Sequence, residues 1–112
     1  MAKYPDDADG NALQRVEELG NNMGKPMPID FFVAVPTAEV GGQLANLAAE
    51  LGYKVTVEYD EEDDAWTCYC TKLMVPTYLD LIDCQAELDN TARRMGGKAD
   101  GWGTVGNKND GA

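Results

Sequence analysis

The residues with the most chemical potential are Glu58-Tyr59-Asp60-Glu61-Glu62-Asp63-Asp64, a run in which six of seven side chains are acidic. Clustered carboxylates suit three tasks: holding a cation, moving a proton, or attracting a cationic partner. An EF-hand calcium loop needs Gly at its sixth position and a bidentate Glu at its twelfth. Counted from Asp60, those positions hold Ala65 and Thr71, so the motif fails and only unspecific divalent binding is open to the run. Carboxylates on an exposed turn also lack the desolvation that tunes an acid for proton transfer. Two roles remain. One is a solvated turn that discourages edge-to-edge aggregation. The other is a docking face for a basic segment.

Three cysteines, Cys68, Cys70 and Cys84, are the other reactive side chains. Structural zinc takes four ligands, usually from paired C-x-x-C knuckles, and this chain has no fourth cysteine and no histidine. A nucleophilic thiol needs a base beside it, and histidine, the usual one, is absent. The expectation is small, reduced core residues in a cytoplasmic protein, with no metal and no other cofactor.

The charge points the same way. Against 20 Asp and Glu stand 9 Lys and Arg, for a net charge of −11. Such a surface repels nucleic-acid phosphates, so direct nucleic-acid binding is not expected, and a cationic protein partner is. No apolar run approaches the roughly 20 residues of a membrane span, and the acidic N-terminus does not resemble a secretory signal.

Seven elements must position these groups. Asp6, Asp7 and Asp9 crowd the start of a first helix, where carboxylates cap free N–H groups; Leu13, Val16 and Leu19 follow as its apolar stripe, and Gly20 stops it. Ile29 to Val35 is apolar on both faces, which makes it a central strand ended by Pro36. Thr37 caps a second helix with Val40, Leu44, Leu47, Ala48 and Leu51 on its core face. Gly41-Gly42 inside it marks a close contact or a late helix start. Tyr53 to Asp60 alternates as a strand half buried on its odd positions, and Ala65 to Val75 is its hairpin partner across the acidic turn. Thr77 caps a long third helix carrying Leu81, Cys84, Leu88, Ala92 and Met95, widened by Tyr78, Ile82 and Gln85. Lys98 to Val105 is the last strand.

Strand, helix, strand, strand, helix, strand is the order of a split βαβ sandwich. The expected fold is therefore α+β: a ferredoxin-like βαββαβ sandwich with a four-stranded antiparallel sheet in the order 4-1-3-2 and an additional N-terminal helix. The expected organisation is one domain over 1–112, with the extra helix at 6–20, the core at 28–105 and a flexible tail at 106–112. RNA-recognition domains share this fold and stack bases on sheet aromatics. Phe32 and Tyr69 would lie side by side on that face, and the acidity favours their packing under the N-terminal helix instead.

Asp100-Gly101-Trp102-Gly103-Thr104 resembles the D-G-W-G-T signature of the regulator of ribonuclease E activity B (ribonuclease E inhibitor B) family. Leu51-Gly52-Tyr53-Lys54-Val55 looks like that family's L-G-Y-x-V, and Leu81-Ile82-Asp83-Cys84-Gln85 like its L-I-D-x-Q. Glu18-Leu19-Gly20 followed by Ile29-Asp30 is similar to its first helix end and first strand. The resemblance runs from about Val16 to Thr104. It implies a non-catalytic acidic protein that binds the non-catalytic, C-terminal region of ribonuclease E, inhibits RNA processing and alters the composition of the degradosome. The family's best-known branch continues into a long acidic C-terminal tail; here the negative charge is gathered at 58–64.

The candidate partner-binding residues are therefore Glu58, Asp60, Glu61, Glu62, Asp63 and Asp64, with Asp100 and Trp102 next. Trp102 has two roles open to it: an exposed anchor for a partner, or packing between two glycines. The expected partner is a protein with a basic, disordered segment of the ribonuclease E scaffold type. A small-ligand sensor is the alternative, and it requires an apolar pocket with a few convergent polar groups. An enzyme has the least support, since the chain offers no nucleophile with a base, no phosphate loop and no metal set.

Overall fold

The computed structural model describes residues 3–108. In chain order it holds α1 (Ala8–Glu18), β1 (Met27–Val35), α2 (Ala38–Glu50), β2 (Lys54–Asp60), β3 (Ala65–Met74), α3 (Tyr78–Arg93) and β4 (Lys98–Thr104). Each helix begins at a side-chain cap. Asp7 accepts from the Gly10 N–H, Thr37 from Val40 and Thr77 from Asp80, so each satisfies one donor that the first turn leaves unpaired.

The strands form one antiparallel sheet in the order β2-β3-β1-β4, with β1 central and β2 and β3 a hairpin. Burial alternates strictly along β1. Met27, Ile29, Phe31, Val33 and Val35 face the helices and form the core with Leu44, Ala48, Leu81, Leu88 and Ala92. The even positions are only half-buried, so β1 is central without being enclosed on both faces. α2 covers the β2–β3 half of the sheet and α3 the β4–β1 half.

The position of α1 departs from expectation. It packs on α3, sending Leu13 into the core, and does not lie across the opposite sheet face. Phe32 and Tyr69 are therefore not beneath it. Three leucines depart as well. Apolar spacing places Leu19, Leu47 and Leu51 inside, yet they are 64%, 42% and 40% exposed. Leu19 caps the end of α1, and α2 meets the sheet through Gly41, Leu44 and Ala48, which turns Leu47 and Leu51 to the flank.

Gly41 is a close contact and not a late helix start. A Cβ there would stand 2.8 Å from Val57 Cγ1, so the missing side chain is what lets α2 approach β2. Gly42 faces open space, and nothing in the structure explains it. Residues 106–108, the start of the expected tail, are tied to the loop after α1: Asn107 N–H donates to Asn21 Oδ1 at 2.9 Å and Asn22 N–H to Asn107 Oδ1 at 2.9 Å. Residues 109–112 of that tail lie outside the described residues.

Cys68 and Cys70 are buried on β3 and Cys84 is half-buried on α3. Burial pushes the Cys68 thiol up to about 11 and the Cys70 thiol up to about 12. Both are thus protonated and shielded at neutral pH, and only a thiolate reacts with an alkylating agent. Native protein treated with iodoacetamide at about pH 8 should keep Cys68 and Cys70 unmodified until denaturant is added, as read by peptide mass spectrometry. Equal, rapid labelling of all three cysteines in the native state would contradict this placement.

Candidate functional site

The acidic run closes the β2–β3 hairpin. Asp60 pairs with Ala65 across the ladder, and residues 61–64 make the turn. Its six carboxylates do two different jobs. Asp60 Oδ1 accepts from the Glu62 backbone N–H at 3.0 Å, a local cap that shapes the turn. Asp64 occupies the left-handed region, φ 48°, which Asp and Asn tolerate better than other side chains. Its Oδ1 accepts the Tyr59 hydroxyl at 2.6 Å, and that bond raises the Tyr59 pKa. The Tyr59 and Trp66 rings, 4.9 Å apart between centroids, brace the same end of the hairpin.

Glu58, Glu61, Glu62 and Asp63 are exposed, and among the described residues no ion pair joins their side chains to a cation. They face water and whatever approaches through it. Glu58, Asp60, Glu61 and Glu62 border an open concavity of about 330 Å³ whose floor includes Thr67 and Tyr69. These carboxylates do not converge: among the described residues no three His, Cys, Asp or Glu side chains gather as a metal site.

Asp100 and Trp102 lie on β4, away from the hairpin. Asp100 is exposed where the β1–β4 register shifts between Phe31 and Val33. Trp102 pairs with Phe31 and so points to the helical side, where it is half-buried. Its indole N–H donates to Asp9 Oδ1 at 2.9 Å, and the Gln85 amide donates to the same oxygen at 3.2 Å. The Tyr78 hydroxyl donates to Asp7 nearby, a bond that holds the Asp7 carboxyl below its usual range. One turn of α1 is thereby fastened to α3 and β4. The helix-start role expected of Asp9 does not include its place as the shared acceptor of the Trp102 and Gln85 donors. The only signal was the pairing of an N-terminal acid with two buried-side donors far along the chain.

The other recurrent residues also serve the frame. Tyr53 meets Phe31 edge-on at 6.0 Å, and its hydroxyl donates to Glu87 at 3.2 Å. Gly101, at φ 103°, and Gly103 lie against the Phe32 ring; a Cβ on Gly103 would come within 3.2 Å of Phe32 Cζ. Elsewhere, Leu47, Leu51 and Met95 form a shallow apolar groove of about 210 Å³ between α2 and α3, edged by Glu50 and Arg94.

Among the described residues no Asp, Glu, Lys or Arg is buried, and burial raises the pKa of the buried titratable groups, Tyr53, Cys68 and Cys70, which holds them in their neutral forms. The fold and site define a small α+β protein whose distinguishing chemistry is a solvated anionic surface. The family model described as Regulator of ribonuclease activity B matches residues 6–104, and the chain belongs to this family. A comparison with curated proteins finds no match.

Proposed function

We propose that this is a non-enzymatic, cytoplasmic regulatory protein that binds a basic, flexible segment of a ribonuclease E-like scaffold and so modulates RNA processing and decay. Its frame is read as the ferredoxin-like sandwich, and its contact face as the hairpin at 58–64. The observation that carries this is the set of free carboxylates, Glu58, Glu61, Glu62 and Asp63, side by side on the hairpin of a chain from a regulator family. Arginine-rich segments pair well with such groups, because a guanidinium fork matches a carboxylate in two parallel hydrogen bonds. Asp60 and Asp64 shape the turn and add their charge to its field. Asp100 stands second, as an exposed carboxylate on another edge, and Trp102 contributes by holding the frame.

Each exposed ion pair contributes only about 0–1 kcal/mol, so affinity must come from several at once and must fade as salt screens them. The test is capture of the non-catalytic C-terminal region of ribonuclease E, with the catalytic region as control, at about 50 mM and about 500 mM salt. Retention of the C-terminal region at low salt, lost at high salt, is expected. No retention at low salt would remove the ribonuclease E scaffold as partner.

A further inference from the structure

We infer that the open face of the sheet is the second half of the docking surface, and that the Phe32–Tyr69 pair makes it select arginine over lysine. This deepens the function proposed above and rests on its basic polypeptide partner. All three helices lie on one side, and among the described residues no element covers the other. On that bare side Phe32 meets Tyr69 at 5.5 Å between centroids, with the rings at 78°, both half-buried. Leu73, on the same face of β3, is 69% exposed. Aromatic and aliphatic surface left open together marks an interaction face.

Charge decides the occupant. The register sets Thr56 beside Tyr69 and places Glu58 and Asp30 at its diagonal positions. The acidic concavity at the hairpin reaches Tyr69 directly. Lys54 is the other diagonal neighbour of Tyr69, and Lys98 pairs with Ala34 near Phe32, so the negative side of the pair is the hairpin side, where Glu58 and the turn lie. A cation crossing from the hairpin thus meets ring surface with Glu58 on its near side and, beyond it, Asp30, which also accepts the Thr71 hydroxyl. Guanidinium suits that setting better than ammonium: it is planar, weakly hydrated, stacks on rings and forks to a carboxylate. Single-stranded RNA would also stack here, but its phosphates would meet Glu58, Asp30 and the hairpin. Gly101 and Gly103 bear on this directly, since they leave room for the Phe32 ring beside β4.

The test uses two labelled peptides of equal length and charge, one carrying arginine and one lysine between Gly and Ser spacers. They are titrated with the full chain in low salt and followed by fluorescence anisotropy. The arginine peptide should bind roughly three- to tenfold more tightly. Tyr69→Thr should erase that preference while changing lysine-peptide affinity by less than about twofold. Should Tyr69→Thr not fold, Thr56→Arg, at an exposed position, should cost the arginine peptide more than the lysine peptide. Equal affinity for both peptides, or a preference that survives Tyr69→Thr, overturns the inference. If the peptides are equal but both weaken when Glu61, Glu62 and Asp63 are neutralised, the hairpin function stands alone. If neither peptide binds, that function falls too. Tyr69-dependent binding of a labelled oligouridine, with no peptide preference, makes this a nucleic-acid platform and also overturns the inference.

Discussion

Glu58→Gln, Glu61→Gln, Glu62→Gln and Asp63→Asn, introduced together, should weaken capture of a basic scaffold segment by about tenfold or more at low salt and leave the fold intact. The choice of four residues follows from the hairpin geometry. Asp60 and Asp64 hold the turn through the Glu62 N–H and the Tyr59 hydroxyl, so replacing them would mix a structural effect with an electrostatic one. The four chosen carboxylates are exposed, and among the described residues no ion pair joins them to a cation. Each pair they form with a partner is worth about 0–1 kcal/mol, and together they reach roughly 1–3 kcal/mol. Much of the loss should appear in the association rate, since clustered charge steers encounter before contacts form. Thermal stability should hold or rise slightly, because like charges crowded on one turn repel. Binding by the fourfold variant as tight as the parent's in low salt makes the turn a solubilising feature and moves the binding face elsewhere.

Much of this arrangement is legible in the sequence because short-range physics dictates it. The caps at Thr37 and Thr77, the alternation from Lys54 to Glu58 and the acidic turn each depend on near neighbours, whereas Tyr59, expected half-buried with the other odd positions, is exposed at the hairpin end. The anionic hairpin is legible for the same reason: its exposure follows from composition. What escapes the sequence is set by tertiary geometry. Periodicity puts Leu47 and Leu51 on the face of α2 that carries Leu44, but Gly41 draws the helix onto Val57 and fixes its roll about its axis. The docking of α1 depends on hydrogen bonds spanning 71 to 93 positions, from Tyr78, Gln85 and Trp102 to two aspartates. No local pattern encodes them. The open sheet face escapes too, because the aromatics at 32 and 69 look the same in sequence whether a helix covers them or not.

Trp102→Ala should destabilise the protein by about 2–4 kcal/mol and leave the partner affinity of the folded molecule unchanged. Truncating a fully buried Trp costs about 3–5 kcal/mol, and Trp102 is half-buried, which lowers the figure. The indole packs beside Phe31 and donates to Asp9, so its loss also loosens α1 from β4. Trp102→Phe separates the two contributions. It keeps most of the ring contact and removes the N–H, and should cost about 1.5–3 kcal/mol, the range for a hydrogen bond to a charged acceptor. Combined with Asp9→Ala, Trp102→Phe should be less than additive, since either change alone already breaks the same bond. Gln85 would retain its bond to Asp9 in the Trp102 variants, so α1 should stay docked in part rather than detach. Urea unfolding measures stability, and titration with the basic peptide at a urea-free, fully folded baseline measures affinity. A Trp102→Ala protein that unfolds at the parent's midpoint yet binds several-fold more weakly would make the indole a partner anchor. The structure instead gives its polar end to Asp9 and its face to the core, the arrangement of a residue that holds the frame.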